Sequence, residues 1–234
     1  MVSHSVSVVT LVVAVSLQAP AGQKTAAPDS AAEAGWTPLF NGRDFTGWRV
    51  SKPESFKVEN GAIAASGRAS HAYYDGPFLG HTFRNFELKV DVMVKGNANG
   101  GSNGGVYILT EFEEKGGNVR ASGDFPSKGF EIQINNAYAR DQVKTGSLYH
   151  VADITESPVK DDEWFTFHIT VKDQTITVSV NGKQTVSWTQ PADWNGGREG
   201  PGRTITSEGG TIALQAHDAN STVYYKNIRI KPLN

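Results

Sequence analysis

The sequence predicts an all-β fold, either a β-sandwich or a jelly roll, formed by a single domain. Three observations predict it. Several short segments alternate apolar and polar residues, Asn-Gly pairs separate some of these segments, and no stretch of about twelve residues or more carries an apolar stripe at helical spacing. Many short antiparallel strands joined by turn sequences, in a chain of 234 residues, are typical of these two architectures.

The strand predictions depend on alternation with a period of two. In Phe86–Val94 every second residue is apolar, so one face of this strand is expected to be buried. Phe165–Val171 repeats the pattern, and Thr211–Ala216 and Thr222–Ile230 are the last predicted strands. The apolar positions change parity within Tyr225–Ile228, which predicts a β-bulge or burial on both faces.

Turns are predicted from Asn-Gly pairs, because both residues accept positive φ and this pair is the strongest short-range hairpin signal. Hairpins are therefore expected at Asn181-Gly182, Asn60-Gly61 and Asn41-Gly42. The glycine-rich segment Asn97–Gly105 is expected to be a flexible hairpin loop; the alternative is a glycine edge where a ligand approaches the backbone.

Composition excludes several classes of function. Lys and Arg number 22 against 24 Asp and Glu, a formal charge of −2, so the chain lacks the positive field that nucleic-acid binding requires. There is no cysteine, which excludes disulfides, thiolate zinc sites and cysteine nucleophiles. Stability must therefore come from a well-buried core.

The N-terminal part of the chain is predicted to lie outside the folded domain. Ser5–Leu17 is apolar but too short to cross a bilayer of about 30 Å as a helix, and Ala19-Pro20-Ala21 suits signal peptidase. We therefore expect export to the periplasm or secretion, without a membrane span after signal removal. The alternative is a buried first strand, since no Lys or Arg precedes the apolar stretch. The predicted division is a signal peptide at 1–21, a disordered spacer at 22–34 and the folded domain at 35–234.

Polar residues share one face of the predicted strand Phe130–Asn135. Its apolar residues occupy the alternate positions, so Glu131, Gln133 and Asn135 must point to the opposite side. Such a row is either a solvated outer face or a wall of hydrogen-bonding groups suited to sugar hydroxyls. Local sequence leaves both interpretations open.

A second polar row follows the strand that begins at Thr211. Gln215 and His217 share its polar face, and His217 is a candidate base or metal ligand, or else a surface histidine at a strand end. His150, with Asp153 close in sequence, is a further His–carboxylate pair that could bind metal, although the sequence defines no geometry for it.

Familiar catalytic motifs are absent. The chain has no Gly-x-Ser-x-Gly, no phosphate-binding lysine loop, no dinucleotide fingerprint and no His-Glu-x-x-His. The segment from Glu131 to Asn136 is superficially similar to the Glu-x-Asp-x-x-Glu strand of laminarinase-type β-glucanases, but Gln133 and Asn136 replace two carboxylates. This strand therefore supplies one carboxylate, whereas direct glycoside hydrolysis uses two.

An ordered set of motifs resembles the 3-keto-disaccharide hydrolase family over nearly all of Trp36–Leu233. Two features depart from that family: Tyr225–Ile228 replaces Phe-Arg-Asn-Ile, and His150 stands where many members have Asp or Asn. Thr110–Lys128 is longer than usual and is expected to form an extra loop near the cleft. The matching segments are Trp36–Trp48, Phe83–Glu87, Gly101–Val106, Gly129–Gln133, Thr145–Tyr149, Glu163–Thr166, Val180–Lys183, Leu214–His217 and Tyr225–Lys231.

The resemblance implies a concanavalin-like or laminarinase-like jelly roll acting on glycosides already oxidised at C3. A C3 ketone acidifies the C2 hydrogen, so one base can remove it and expel the group at C1, and water addition completes net hydrolysis. Glu131 or His217 would transfer the proton, with Tyr149 assisting the leaving oxygen. No cofactor is certain; a divalent metal ion on Glu131 and His217 would be an alternative way to polarise the ketone. The expected substrate-binding residues are Gln133, Gln215, Asn135 and His150.

Two other functions remain open from the sequence. Jelly rolls of this size often only bind glycans, so a non-catalytic carbohydrate-binding module is the main alternative. A conventional glycosidase acting on unoxidised sugars is the third. In each case the expected partner is an oligosaccharide or glycoside and not a nucleic acid.

Overall fold

A computed structural model describes residues 1–2, 34–97, 100–112 and 125–234. Within it, Gly35–Asn234 forms one compact unit. The predicted signal peptide and spacer fall almost entirely on 3–33, outside the described residues, so export stays a prediction. Most of the predicted extra loop, 113–124, is also outside them. No helix in the described parts has the length and apolarity needed to cross a membrane.

Thirteen strands and three short 3-10 helices make up the described fold. The helices are Pro53–Ser55, Phe78–His81 and Gly197–Glu199. In chain order the strands are β1 (Thr37–Pro38), β2 (Trp48–Val50), β3 (Phe56–Glu59), β4 (Ala62–Ser66), β5 (Ser70–Tyr74), β6 (Phe86–Val94), β7 (Asn103–Thr110), β8 (Phe130–Asn135), β9 (Trp164–Lys172), β10 (Thr175–Val180), β11 (Lys183–Thr189), β12 (Thr211–Ala216) and β13 (Thr222–Pro232).

The strands form two antiparallel sheets, which confirms the all-β sandwich prediction. The eight-stranded sheet has the order β11-β10-β9-β6-β13-β4-β3, with β1 paired to β13. The five-stranded sheet has the order β2-β5-β12-β7-β8. Strands adjacent in each sheet are often distant in sequence, so both sheets depend on long-range pairing.

The core lies between the two sheets, and alternation places its side chains there. Val90 of β6 pairs with Phe167 of β9, and both side chains are fully buried. From the five-stranded sheet, Ile132 of β8 and Leu214 of β12 belong to the same buried cluster. Burying one apolar face of each sheet contributes about 25 cal/mol per Å² of apolar surface, the main stabilising term in a fold without disulfides.

Two of the three predicted hairpin turns are confirmed. Asn60-Gly61 joins β3 to β4 and Asn181-Gly182 joins β10 to β11, with positive φ at all four residues. The prediction at Asn41-Gly42 is wrong, because β1 pairs with β13 whereas β2 pairs with β5 in the other sheet. The Asn41 side chain instead accepts hydrogen bonds from the backbone N–H groups of Arg43 and Asp44, which bends the chain locally.

Two further predictions concern an irregularity within β13 and the segment that follows β6. The bulge near the C terminus is confirmed: the β6–β13 register shifts between Lys226 and Arg229, and Asn227 has a φ of 49°. The hairpin expected at Asn97–Gly105 is wrong, because β6 and β7 belong to different sheets. A glycine-rich segment signals a turn, but it does not determine which strand the chain pairs with next.

Candidate active site

The five-stranded sheet has one face in the core and one facing away from it, which we call the site face. Register places Tyr107 of β7 opposite Glu131 of β8, and Gly105 opposite Gln133. On the other side of β7, Ala213 of β12 lies opposite Tyr107, which brings Gln215 onto the same face. Polar residues from three strands therefore meet on one surface.

The site face carries a cavity of about 260 Å³, which we call the reaction cavity. It continues into a more open cavity of about 490 Å³ that shares Asp141, Tyr149 and His217 with it and adds Tyr138 and Arg140. The reaction cavity is lined by Asn103, Tyr107, Phe125, Glu131, Gln133, Asp141, Tyr149, His150, Arg198, Glu199, Arg203, Gln215 and His217. Six of the seven residues predicted from the sequence thus converge there.

Asn135 is the exception. Its side chain is completely buried and is absent from the cavity lining. Its Nδ2 donates to the backbone oxygens of Asp141 and Val143, and its Oδ1 accepts from the backbone N–H of Tyr138. The expectation that Asn135 binds substrate is wrong, because these bonds hold the loop that carries Asp141 and leave no group directed to a ligand.

Glu131 lies at the centre of the cavity and is 9% exposed. Its Oε2 accepts a hydrogen bond of 2.7 Å from the hydroxyl of Tyr107. Burial raises the pKa of Glu131 to about 7, although the Tyr107 hydrogen bond and the positive charge of Arg203 act in the opposite direction. A carboxyl group with this pKa exchanges a proton near neutral pH, as a general base or acid requires.

Gly105 makes room for this carboxyl group. A Cβ atom at position 105 would collide with Oε1 of Glu131. At this position the glycine-rich segment therefore accommodates a side chain of the neighbouring strand, and approach of a ligand to its backbone stays a prediction.

Sequence patterns did not identify Tyr107 as a residue of the site. All residues of β7 are buried, so the strand shows no alternation that would separate a core face from a site face. Burial and the neighbouring negative charge of Glu131 raise the pKa of Tyr107 well above its usual value, so Tyr107 stays protonated and donates to Glu131. The Arg203 guanidinium lies over the Tyr107 ring, 5.5 Å from its centroid.

Arg203 was also missed, because it lies in an irregular segment without a pattern. It is 6% exposed. Its guanidinium donates to the backbone oxygens of Pro126 at 3.0 Å, Lys128 at 3.1 Å and Gly129 at 2.9 Å. These bonds fix a buried positive charge near Glu131.

Asp141 organises one wall of the cavity. Its Oδ2 accepts hydrogen bonds from the hydroxyl of Tyr149 at 3.1 Å and from Nε2 of Gln133 at 3.3 Å. Burial, followed by the negative charge of Asp141, raises the pKa of Tyr149. Tyr149 therefore stays protonated and can donate a hydrogen bond or a proton.

His150 and Glu199 form a pair on the other wall. His150 Nδ1 lies 2.7 Å from Oε1 of Glu199, and the side chains are 13% and 11% exposed. The His150 ring packs on Tyr149, with centroids 3.8 Å apart. Asp153, the carboxylate that the sequence places near His150, accepts from the His150 backbone N–H, and Nδ1 of the ring pairs with Glu199 instead. Glu199 comes from a distant 3-10 helix, which no sequence signal linked to His150.

His217 lies at the mouth of the cavity. Its Nδ1 is 2.8 Å from Oδ2 of Asp218, and its side chain is 27% exposed. Burial alone would raise the pKa of Asp218, but hydrogen bonds from His217, Asn220 and Ser221 outweigh it and lower the pKa. The ionised Asp218 orients the imidazole so that Nε2 is the nitrogen left for a ligand.

Two buried acceptors in the cavity lack protein donors. Asn103 and Gln215 are 3% and 1% exposed, yet Asn103 Oδ1 and Gln215 Oε1 have no hydrogen-bond partner among the described residues. Leaving a buried acceptor unpaired costs about 1–3 kcal/mol. A ligand that carries hydroxyl donors would satisfy both oxygens.

The donor set does not fit a divalent metal held by protein side chains. No group of three or more His, Asp or Glu residues in the described ranges is arranged to hold an ion. The two candidates, Glu131 and His217, supply only two protein ligands, and one oxygen of Glu131 already accepts from Tyr107. Zinc sites ordinarily use at least three protein ligands, and no step below involves a metal.

The chain can now be compared with known proteins. The sequence model of the 3-keto-alpha-glucoside-1,2-lyase-like domain matches residues 35–231, nearly the whole folded unit. The chain belongs to this family. A 3-keto-disaccharide hydrolase of Bacteroides thetaiotaomicron is 30% identical over 89 residues, a match that covers 35% of this chain and 30% of that protein. The resemblance inferred from the ordered motifs is thereby confirmed at the level of the family.

Solved structures share the fold of this 3-keto-alpha-glucoside-1,2-lyase-like domain. A proposed glycosyl hydrolase of Parabacteroides distasonis ATCC 8503 is 26% identical, with a TM-score of 0.67 over 88% of this chain and 97% of that one. The carbohydrate-binding module CBM66 of Bacillus subtilis is 11% identical, with a TM-score of 0.52 over 80% and 96%. The VIP36 exoplasmic/lumenal domain, bound to Ca²⁺ and mannose, is 13% identical, with a TM-score of 0.55 over 80% and 83%. The last two show the fold alone, and the family match indicates a carbohydrate-active protein.

Proposed function

We propose that this chain cleaves glycosides or disaccharides already oxidised at C3, with Glu131 as the base that removes the C2 proton. The observation that carries the proposal is a buried carboxyl group with a pKa of about 7 at the centre of a cavity on the site face. The family match supports the 3-keto substrate class. The unpaired acceptors of Asn103 and Gln215 support a ligand rich in hydroxyl groups.

The reaction proceeds by elimination and then hydration. The Glu131 carboxylate takes the proton from C2, the electron pair of the C2–H bond forms an enolate with the C3 ketone, and the C1–O bond then breaks. The leaving oxygen takes a proton from Tyr149, which the raised pKa keeps protonated, or from His217 at the cavity mouth. Water then adds across the new C1–C2 double bond and gives net hydrolysis.

Positive charge near the cavity favours the enolate. Arg198 and Arg203 line the same cavity as Glu131, and Arg203 is held rigidly by backbone oxygens. A fixed positive charge in a site shielded from water stabilises developing negative charge without reorganising during the reaction. Gln133 and Gln215 are then expected to hold sugar hydroxyls beside the reacting carbons.

One structural observation favours a second candidate, ordinary glycoside hydrolysis. A loop brings Asp141, and a 3-10 helix brings Glu199, into the cavity that Glu131 lines, so the carboxylate that β8 lacks is supplied from elsewhere. Each is already held by donors, Asp141 by Tyr149 and Glu199 by His150. A protonated Glu131 would be the acid in this mechanism.

The deciding experiment compares oxidised and parent sugars. The purified chain is incubated with 3-keto-trehalose and a 3-keto-β-glucoside and, in parallel, with trehalose and the parent β-glucoside. We expect release of sugar or aglycone from the keto forms only. Release from the parent sugars would establish the conventional glycosidase. No release from the keto forms or from the parent sugars would indicate a carbohydrate-binding module.

Variants assign the base within the same assay. Glu131→Gln should lower turnover of the keto substrate by about 10²–10⁴-fold, the usual contribution of a positioned base. Glu163→Gln, an exposed carboxylate outside the cavity, is the matched control and should retain full activity. Dialysis against EDTA should leave turnover intact, because no group of three or more His, Asp or Glu residues among the described residues is arranged to hold an ion.

A further inference from the structure

A second and larger cavity lies at the opposite end of the same strands. It measures about 600 Å³, and none of the residues lining it belongs to the reaction cavity. We call it the distal cavity and define it by Arg49, Asp75, His81, Thr110, Glu111 and Phe112. Its volume falls in the range of pockets that hold small ligands, about 300–1,000 Å³.

Hydrogen bonds join two chain segments whose residues line the two cavities. The N–H of Gly129 donates to the backbone oxygen of Gly202 at 3.0 Å. Arg203 binds the oxygens of Pro126 and Lys128 from the same side. Lys128 and Gly202 line the distal cavity whereas Arg203 lines the reaction cavity, and because the two linings share no residue we treat the cavities as separate compartments on the sheet.

A strained bulge in β7 directs Thr110 to the distal cavity. Leu109 has a φ of 55°, which is unusual for a bulky residue, and the β7–β12 register shifts between Thr211 and Ala213. As a result Ile108 and Leu109, although consecutive, both belong to the buried core cluster, and Leu109 and Thr110 both line the distal cavity. Such bulges often redirect a side chain, and such strain is often found at functional sites.

The buried hydroxyl group of Thr110 is a second observation that favours a bound ligand. Thr110 is 1% exposed, and its Oγ1 has no hydrogen-bond partner among the described residues. A buried hydroxyl without a partner costs free energy that a bound molecule with donor and acceptor groups would recover. Neighbouring Thr211, by contrast, donates to the backbone oxygen of Tyr74 at 2.6 Å.

The charges of the distal cavity suit a neutral ligand. Arg49 lies 3.2 Å from Asp75, whose other oxygen is 3.7 Å from His81, and Lys128 lies 2.6 Å from Glu111. Glu208 also lines the cavity, so three carboxylates face two permanent cations, Arg49 and Lys128. This balance disfavours an anionic ligand and leaves acceptor oxygens for the hydroxyl groups of a neutral one.

An aromatic ring adds apolar surface to this wall. Arg49 lies over the ring of Phe112, with its guanidinium carbon 4.4 Å from the centroid, and Phe112 packs edge-on against Tyr73. A mixture of ion pairs, threonine hydroxyls and an aromatic ring matches the alternating polar and apolar surface of a sugar.

We propose that the distal cavity binds a neutral carbohydrate, independently of the reaction cavity, with Thr110 and Arg49 as contact residues. The chain would then hold glycans at two places on one sheet and react with only one of them. This gives a carbohydrate-cleaving domain a means of staying on an oligosaccharide while the reaction cavity exchanges substrate.

The test is a ¹H–¹⁵N NMR titration of the whole chain with maltotriose, cellotriose and raffinose in turn. At least one should shift amides around Thr110 and Arg49. Thr110→Val keeps the shape and removes the hydroxyl, so it should weaken that binding by about 3–10-fold, the usual effect of one hydrogen bond. Thr177→Val, on β10 of the other sheet, is the matched control and should bind as the unmodified chain does.

Each other outcome overturns the proposal. Shifts confined to the reaction cavity, no shifts with any of the three sugars, or unchanged affinity in Thr110→Val would each do so. If Thr110→Val fails to fold, Arg49→Met takes its place, because the Arg49 side chain is 52% exposed and its replacement leaves the core intact. Turnover of a small 3-keto-glucoside should be equal in the unmodified chain and both variants. If neither the unmodified chain nor either variant turns over this substrate, the proposed reaction would be contradicted and the titration result would still stand.

Discussion

Replacing Tyr107 by Phe removes the hydroxyl group that donates to Glu131 at 2.7 Å. A hydrogen bond to a charged group contributes about 1.5–3 kcal/mol, and one pKa unit corresponds to about 1.36 kcal/mol. Because this bond favours the carboxylate, its loss should raise the pKa of Glu131 by about 1–2 units. Starting from a pKa of about 7, the ionised fraction at pH 7 would fall about 5- to 50-fold.

The assay is the pH dependence of kcat/KM on a 3-keto-glucoside, which reports ionisation of the free enzyme. If Glu131 is the base, activity rises with pH through its pKa, and in Tyr107→Phe this rise should move to higher pH while the plateau is retained. Tyr74→Phe is the control, since Tyr74 packs in the core cluster. A midpoint that stays in place, or moves to lower pH, in Tyr107→Phe would refute the role of Glu131 as a base tuned by Tyr107.

Three further predictions follow from the same contacts. The folded state raises the pKa of Glu131 from 4.5 to about 7, so its protonation stabilises the fold fully below pH 4.5 and this stabilisation is lost as pH rises through 7. In urea unfolding, the free energy of unfolding of Glu131→Gln should therefore exceed that of the unmodified chain by about 2–3 kcal/mol at pH 8 and by little at pH 4. An equal difference at both pH values would contradict this. Gly105→Ala should displace the Glu131 carboxylate and lower kcat/KM at least about tenfold. In the double variant with Glu131→Gln, Gly105→Ala should cause no further loss of kcat/KM. Additive losses would show that Gly105 acts through another group. Glu199→Gln should weaken the pair with His150 and lower the free energy of unfolding by about 1–2 kcal/mol at pH 6. Calorimetry against Glu163→Gln measures this difference. No difference from this control would mean that the His150–Glu199 pair does not stabilise the fold.

The buried carboxyl group of the candidate site has a cost in stability. A carboxyl group that is 9% exposed, with a pKa raised by burial, is less stable when ionised than it would be in water. Tyr107 and Arg203 reduce that cost without removing it. Functional sites often retain such unfavourable groups, so stabilising substitutions at Glu131 are expected to abolish turnover.

Odd–even counting along the chain predicted much of the site. Glu131 and Gln133 on one strand, and Gln215 and His217 on or just after another, were placed on a common face, because side-chain direction alternates with a period of two in every strand. Their convergence at one cavity agrees with that expectation, while their catalytic and binding roles stay predictions. Counting also placed Asn135 on this face, but the loop bearing Asp141 uses its hydrogen-bonding groups.

The sequence by itself determined the all-β class, two of the hairpin turns, the bulge near the C terminus and the polar faces of β8 and β12, because each depends on residues close together in the chain. Only the tertiary structure brought Tyr107, Arg203, Asp141 and Glu199 to Glu131. Strand partners and loop positions depend on long-range pairing, which local alternation does not encode. The pKa of Glu131 is likewise decided by burial, a property of the assembled sheet and the loops over it and not of the strand that carries the residue.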